Sequence, residues 1–297
     1  MPLPGLFAYK TDSRYAGAAA LDWFDPDPDA DEMSAELWSG PIEPGWTHAA
    51  AFTDDRGIAC LFKYNRTTQT MAIDRVRADG SGLDTCHSQE NEGAKGQWDL
   101  ITSLQVEDPR SARLYAYDRK SGFCRALDLS AGDEPSIAIG QGFGVGSGWS
   151  QLSVVEHEGR VHLISYAATD GSVSIIDPQA PDGPAMTGKW DTNWSLMAVL
   201  APPHDGVFLY RTDDGAWELR NLENTPHAVI ETGVWRPGWS VTLPFTLNGM
   251  AHVLGYEADT GDVEILRLDT QRNAEVVWRF RWSPGWAIQV PLFWRVP

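Results

Sequence analysis

The stretch "GWSVTLPFTLNGMAHVLGYEADTGDVEILRL", from Gly238 to Leu268, divides into three short apolar segments separated by two turns. Apolar residues alternate along each segment, and the turns fall at Asn248-Gly249 and Thr260-Gly261. Alternation interrupted by NG or TG pairs is typical of β-hairpins. The stretch therefore predicts a meander of short antiparallel strands.

This pattern recurs along the whole chain. The segment that begins at Gly148, "GWSQLSVVEHEGRVHLISYAATDGSVSIIDP", aligns almost residue for residue, with turns at Glu158-Gly159 and Asp170-Gly171. Weaker copies follow Gly45, Gln97 and Asn193. Each copy begins with an anchor tryptophan, and the anchors are Trp46, Trp98, Trp149, Trp194, Trp239 and Trp286. Their successive intervals of 52, 51, 45, 45 and 47 residues suit a four-stranded propeller blade.

A tyrosine marks the second strand of each complete copy. It lies 16 to 19 residues after the anchor, at Tyr64, Tyr117, Tyr166, Tyr210 and Tyr256. We expect each of these side chains to occupy the same place in its blade. The anchors themselves are expected to be mainly structural, because one buried indole removes about 150–250 Å² from water.

The two ends of the chain complete one unit. The copy that begins at Trp286 ends after "GWAIQVPLFWRVP", while the N-terminal "LFAYKTDSRYAGAAALDW" matches the second and third strands of a blade. A last blade built from both termini closes the circle without an exposed sheet edge. The sequence thus predicts an all-β fold, a single six-bladed β-propeller of four-stranded antiparallel blades over residues 1–297.

This repeat pattern resembles, at the level of architecture, the fucose-binding propeller lectins of the Aleuria type. The shared features are about six short blades, many tryptophans and no inserted domain. The resemblance implies sugar binding between adjacent blades by an arginine, a glutamate and an aromatic residue. In this sequence no Arg and Glu pair recurs at fixed offsets in all six copies, so no lectin site is assigned to particular residues.

The charge of the chain excludes several classes of partner. Its 23 Lys and Arg residues against 41 Asp and Glu give a net charge of -18, which disfavours nucleic acid and anionic lipid.

No apolar run approaches the ~18 residues of a membrane span, so no membrane insertion is expected. The N-terminus lacks a basic segment followed by an apolar one, which predicts a cytoplasmic protein or one released without a classical signal peptide. Cys60, Cys86 and Cys124 form no CxxC pair, so reduced thiols are expected.

A second set of tryptophans supplies the candidate ligand-binding residues. Trp38, Trp190, Trp235 and Trp282 precede their anchors by eight, four, four and four residues, at the end of a blade's outer strand or in its crossover to the next blade. Exposed indoles stack on sugars, and neighbouring polar side chains give directional hydrogen bonds. The polar candidates are Asp191, Arg236 and Arg281. The alternative interpretation is that these rings cap the core between blades.

One acidic stretch is a weaker candidate for calcium. In "DPDPDADEMSAE", the residues Asp25, Asp27, Asp29 and Glu36 occupy positions 1, 3, 5 and 12 of a calcium-loop template. Ala30 replaces the turn glycine of that template, and a solvated acidic loop is the alternative. No cofactor other than this Ca²⁺ is expected.

Three functions follow as hypotheses, because propellers serve many purposes. The leading one is a non-catalytic, lectin-like carbohydrate-binding protein in which several weak sites act by avidity. An alternative is an enzyme with one small-molecule pocket at the mouth of the central channel, for which the inner strands offer His48, Asp99 and Glu156. The other alternative is a protein-docking scaffold. The expected partner is a glycan or another small ligand, and the oligomeric state is left open.

Overall fold

The structure, a computed structural model, is built of β-strands. It describes residues 3–11, 18–24, 34–54, 56–90, 97–103, 112–130, 135–157, 160–181, 183–184, 186–200, 206–222, 228–247, 249–268 and 274–294. Its strands form six four-stranded antiparallel sheets, each ordered as a meander. These sheets are the blades of a six-bladed β-propeller, as the repeat predicts. Within the described part of the chain, no helix has the length and hydropathy needed to cross a membrane.

The residues cluster into two compact units of three blades each. The first unit comprises Met1–Gly142 and Gly285–Pro297, and the second comprises Phe143–Pro284. In the first unit, the strands are β1 Leu3–Tyr9, β2 Ala18–Phe24, β3 Ser34–Pro41, β4 His48–Thr53, β5 Ala59–Asn65, β6 Thr70–Val76, β7 Leu83–Glu90, β8 Leu100–Ser103, β9 Ala112–Asp118, β10 Phe123–Ser130, β11 Ser136–Gly144 and, from the C-terminus, β24 Ile288–Trp294.

In the second unit, the strands are β12 Gln151–His157, β13 Arg160–Tyr166, β14 Ser172–Ile176, β15 Met186–Lys189, β16 Leu196–Leu200, β17 Gly206–Tyr210, β18 Ala216–Asn221, β19 Val229–Val234, β20 Val241–Leu247, β21 Met250–Tyr256, β22 Asp262–Leu268 and β23 Ala274–Arg281. We number the blades by their anchors. Blades 1 to 5 are β4–β7, β8–β11, β12–β15, β16–β19 and β20–β23, and blade 6 is β24 with β1, β2 and β3.

Blade 6 joins the two ends of the chain, as the sequence predicts. Strand β24 pairs antiparallel with β1 over seven residues, from Leu3 opposite Trp294 to Tyr9 opposite Ile288. The C-terminal strand thus supplies the first strand of a sheet whose other three strands are N-terminal.

The first strand of each blade is the inner one. Within the first unit β4 lies beside β24 and β8, and within the second unit β16 lies beside β12 and β20. The cores lie between facing sheets. Phe7 and Leu21 of blade 6 pack on Leu61 and Val76 of blade 1, for example. Packing such aromatic and aliphatic side chains together removes their apolar surface from water, which stabilises the fold.

The anchors precede the inner strands and do not lie within them. Each anchor is two residues before its strand, and five of the six are buried, Trp149 being half-buried. The tyrosines share one register: each pairs with the first residue of its blade's inner strand, as Tyr64 does with His48 and Tyr256 with Val241. Tyr9, which pairs with Ile288, is the sixth member of this set.

Two further features recur. A bulge interrupts the pairing of third and fourth strands at the same place in blades 1, 4, 5 and 6, after Ile73, Leu219, Ile265 and Leu21. Such bulges increase local twist in the outer strands.

The hairpin between the second and third strands of a blade also touches the crossover that leaves the blade. At Gly215 (φ 74°) a Cβ would lie 2.0 Å from the carbonyl oxygen of Trp235, so that only glycine fits.

Candidate functional site

A repeated polar cap fixes the start of every inner strand. The residue after each anchor donates its N–H to the carbonyl of the blade's tyrosine, as Thr47 does to Tyr64 at 2.9 Å. In blades 1 to 5 its side chain also accepts an N–H from the hairpin that follows the tyrosine. The acceptors are Thr47 at 3.1 Å, Asp99 at 2.8 Å, Ser150 at 3.0 Å, Ser195 at 3.2 Å and Ser240 at 3.1 Å. The cap is therefore part of the blade architecture.

In blades 1 and 2, the cap also brings together side chains that can take part in acid–base chemistry. His48, the first residue of β4, places its Nε2 3.0 Å from the carbonyl oxygen of Asp99 in blade 2. Its Nδ1 lies 3.0 Å from the Thr47 hydroxyl. The ring also contacts Tyr64, with 5.9 Å between centroids. An imidazole, a hydroxyl and a carboxylate residue thus meet at the ends of two inner strands.

A guanidinium completes the cluster. Arg66, in the hairpin of blade 1, places NH2 2.6 Å from Oδ1 of Asp99, while Oδ2 of Asp99 accepts the N–H of Arg119. The Asp99 side chain is 12% exposed, whereas that of Arg66 is 44% exposed. Because the salt bridge leaves much of Arg66 in contact with solvent, the guanidinium has donors available to a ligand.

Burial sets the charge of the imidazole. Desolvation lowers the pKa of His48, and the hydrogen bond to the Asp99 carbonyl opposes this only partly. The nearby positive charge of Arg66 lowers this pKa further. His48 is therefore a neutral base at neutral pH. A carbonyl oxygen only accepts hydrogen bonds, so Nε2 carries the proton and Nδ1 has the free electron pair. We name Thr47, His48, Arg66 and Asp99 the cap cluster.

Of the three inner-strand candidates, the structure brings His48 and Asp99 together. Glu156 lies on β12 with an exposed side chain. Thr47 and Arg66 were not among the candidates, because a hairpin turn brings Arg66 to the site from 18 residues beyond His48. The comparison of copies gives a sequence signal for Thr47, because a hydroxyl followed by a histidine occurs only after Trp46 among the six anchors, but it does not point to Arg66.

The crossover tryptophans do not form one set of exposed rings. Trp190 and Trp235 are 5% and 4% exposed, and Trp282 is half-buried. Each ring lies near its own blade's tyrosine, with 5.9 to 6.2 Å between the ring centroids of Trp190 and Tyr166, Trp235 and Tyr210, and Trp282 and Tyr256. Such rings fill the core between blades, and two of them present no open face to a sugar.

Trp38 occupies a different position from the other three. It lies inside β3, half-buried, with its ring over Gly40, where a Cβ would approach to 2.6 Å. Ile42 stands four residues before Trp46 and is partly buried in the core between blades 6 and 1. Trp38 therefore lies in an outer strand, whereas Trp190, Trp235 and Trp282 lie in crossovers, the two places that the sequence left open.

The polar crossover candidates are bound within the protein. Arg236 forms salt bridges with Glu257 and with Asp262, the latter at 2.8 Å, and its guanidinium lies 5.1 Å from the Trp239 ring centroid. Arg281 contacts the same Asp262 at 2.7 Å with 69% of its side chain exposed. Asp191 has an exposed side chain, and its carbonyl accepts the Tyr166 hydroxyl at 2.8 Å. The structure thus brings Arg236 and Arg281 together on one carboxylate.

The calcium candidates lie mostly beyond the described residues. Asp25, Asp27 and Asp29 are outside them, as are the predicted turn at Glu158-Gly159 and Asn248. Glu36 is exposed on β3 and accepts the Ser39 hydroxyl at 2.6 Å. In the described ranges no three His, Cys, Asp or Glu side chains are placed to hold a metal ion.

Comparison with known proteins supports the fold. No protein-family model matches the chain. No curated protein sequence matches it either. Among solved structures, it is similar to a protein of Bacteroides fragilis provisionally named a 6-phosphogluconolactonase, with TM-score 0.61, 13% identity and 97% of each chain covered.

Two other solved structures give the same result. A Bacteroides uniformis protein with the same provisional name has TM-score 0.62 and 12% identity over 97% of this chain and 98% of its own. A periplasmic gluconolactonase of Pseudomonas aeruginosa has TM-score 0.60 and 14% identity over 94% of this chain and 83% of its own. These neighbours are gluconolactonase-like and are not fucose-binding lectins, so the expected lectin resemblance gains no support. At such identities the likeness shows the fold alone, which is a β-propeller.

Proposed function

We propose that the protein is an enzyme that hydrolyses lactones, the internal esters of sugar acids, at the cap cluster. The observation that carries the proposal is the neutral imidazole of His48 held beside the half-exposed guanidinium of Arg66. The lactonase names of three propellers with similar structures agree with it. This assignment favours the enzyme hypothesis over the lectin.

The roles follow from the chemistry of ester hydrolysis. His48 takes a proton from a water molecule as the water oxygen attacks the lactone carbonyl carbon. Arg66 donates hydrogen bonds to the oxyanion that forms on the carbonyl oxygen. The ring C–O bond then breaks, and the protonated His48 returns its proton to the departing alkoxide. The product is a hydroxy acid. Asp99 holds both groups, through its carbonyl for His48 and its carboxylate for Arg66.

The protein itself suggests the right substitution for a test. In blade 3, Gln151 occupies the place of His48 and donates to the Ser195 carbonyl at 2.5 Å. His48→Gln should therefore keep the contact between blades and remove only acid–base chemistry. We expect it to lower kcat for δ-gluconolactone by about 10²–10⁴-fold. Arg66→Met should lower kcat by about 10²–10³-fold.

The assay must separate enzyme turnover from spontaneous ring opening. Proton release from δ-gluconolactone and from its 6-phosphate is followed at constant pH, with and without protein. Gln151→Ala, which removes the equivalent contact in blade 3, is the matched control and should keep the wild-type rate. If folded wild-type protein releases protons no faster than buffer from either lactone, the proposal is wrong.

A second candidate is glycan binding at the crossover that follows blade 5. The observation that favours it is the partly exposed Trp282 ring next to Arg281, whose guanidinium shares Asp262 with Arg236. A ring with adjacent donors and acceptors suits a neutral sugar. On a glycan array, Trp282→Ala should lose binding while Trp190→Phe, whose ring is buried, should keep it. Wild-type protein that binds no glycan would exclude this candidate.

A further inference from the structure

The Thr47 hydroxyl has more neighbours than its single proton can serve. Its Oγ1 accepts the N–H of Arg66 at 3.1 Å and lies 3.1 Å from the Tyr64 carbonyl oxygen and 3.0 Å from Nδ1 of His48. The Tyr64 carbonyl already accepts the N–H of Thr47 at 2.9 Å. The hydroxyl proton can therefore go to His48 without leaving that carbonyl unsatisfied.

The same position in the other blades shows what the hydroxyl does by default. Ser150, Ser195 and Ser240 each accept a hairpin N–H, and Gln151, Leu196 and Val241 follow them. Capping thus accounts for the hydroxyls of Ser195 and Ser240. In blade 1 the capping hydroxyl faces an imidazole as well, so Thr47 has a contact that the architecture does not require.

Both nitrogens of the His48 ring have a neighbour at hydrogen-bond distance. Nε2 faces the Asp99 carbonyl, and Nδ1 faces Thr47. The ring is only partly exposed, whereas Thr47 is exposed. The Thr47 hydroxyl thus lies between the free electron pair on Nδ1 and solvent along this contact.

We propose that Thr47 donates its hydroxyl hydrogen bond to Nδ1 of His48 and relays protons between His48 and the substrate water. The proposal deepens the proposed hydrolysis and rests on it. In the attack step, the water gives a proton to Oγ1 of Thr47 as Thr47 gives its own proton to Nδ1. The hydroxide oxygen bonds to the lactone carbonyl carbon. When the ring C–O bond breaks, the proton returns by the reverse path to the leaving alkoxide.

The test uses the whole chain and two readouts. The first is the ¹⁵N NMR signal of the His48 ring in protein without substrate, and the second is steady-state lactone hydrolysis. Thr47→Val removes the hydroxyl at nearly constant shape, Thr47→Ser restores it, and Ser240→Ala removes a capping hydroxyl that has no histidine beside it.

We expect wild-type His48 to carry its proton on Nε2. Thr47→Val should shift the Nδ1 signal of His48, whereas Thr47→Ser and Ser240→Ala should leave that signal unchanged. Thr47→Val should lower kcat by about 10–100-fold at unchanged KM, and Thr47→Ser should keep most of the activity. A proton on Nδ1 in the wild type, or an Nδ1 signal unaffected by Thr47→Val, overturns the relay. A wild type that hydrolyses no lactone overturns the proposed function instead, so the two failures are distinguishable.

Discussion

The buried ion pair between Lys63 and Asp74 gives the sharpest test of how blade 1 is held together. Lys63 Nζ lies 2.5 Å from Asp74 Oδ2, and the two side chains are only 4% and 2% exposed. Asp74 also accepts the Thr85 hydroxyl at 2.7 Å, and the ammonium lies 4.5 Å from the ring centroid of Trp46. Both charges are thus removed from water and depend on each other.

Replacing one partner should cost much more than replacing both. Lys63→Met leaves a buried carboxylate with Thr85 alone, and we expect a loss of about 3–5 kcal/mol in the free energy of unfolding. Asp74→Leu should cost somewhat less, because the Trp46 ring face still attracts the ammonium. The double variant removes both charges and should be more stable than either single variant, since well-packed apolar pairs often match buried ion pairs.

Urea denaturation of the four proteins, followed by tryptophan fluorescence, measures these differences. The control is the exposed cross-strand pair of Arg267 and Glu275, 2.8 Å apart, where Arg267→Met should cost roughly 0.2–1 kcal/mol. The reasoning fails if Lys63→Met costs no more than this control. It also fails if the cost of the double variant equals the sum of the two single costs, because the pair would then contribute no coupling.

Three further predictions concern other parts of the fold. Burial, with a smaller effect from Glu36, raises the pKa of Asp22 to about 6, so the native state favours the protonated carboxyl and its stability falls as pH rises through 6. Asp22→Asn should therefore be more stable than wild type at pH 7, by on the order of 3 kcal/mol. In urea titrations at different pH values, this advantage should vanish by about pH 4. Gly215→Ala should lower the unfolding free energy by more than about 2 kcal/mol, whereas Gly249→Ala, at a similar φ but with open space, should cost about 1 kcal/mol in the same assay. Tyr210→Phe removes a hydroxyl that donates to the Arg236 carbonyl at 2.7 Å and accepts the backbone N–H of Trp239 at 3.3 Å. Thermal unfolding should show a loss of about 1–3 kcal/mol in the free energy of unfolding.

The blade repeat was predictable because the fold limits which residues can occupy its repeated positions. An anchor such as the buried Trp239 precedes the first strand of every blade, and in five blades a tyrosine such as Tyr256 follows the anchor by 16 to 19 residues. The Tyr256 hydroxyl bonds to the Ser283 carbonyl at 3.0 Å. The closure of blade 6 followed from the same repeat, since the N-terminal segment matched the second and third strands of a blade whose first strand is C-terminal.

The crossover residues were harder to predict because an apolar position accepts several side chains. The position four residues before the anchor is a tryptophan in three copies, Trp190, Trp235 and Trp282, and is Ile42, Ala94 or Val145 in the others. The repeat therefore does not show which tryptophans outside the anchors, such as Trp38, share one place in the blade. Sequence also does not reveal burial: the indole N–H of Trp235 bonds to Glu264 at 2.7 Å, which turns a candidate stacking ring into part of the core.

The cap cluster arises from two single-residue departures in a conserved backbone arrangement. A histidine follows Thr47, where the other blades have Leu100, Gln151, Leu196, Val241 and Ile288, and Asp99 replaces the capping hydroxyl of its neighbours. Neither change alters the backbone bonds of the cap, since Asp99 still donates its N–H to the Tyr117 carbonyl at 2.8 Å and still accepts a hairpin N–H. In blade 3 the contact between blades is made by Gln151, and in blades 3 to 5 the cap is made by a serine hydroxyl, so neither role requires an imidazole or a carboxylate. Together the two departures hold a neutral base beside a half-exposed cation, which is the arrangement that the proposed lactone hydrolysis uses.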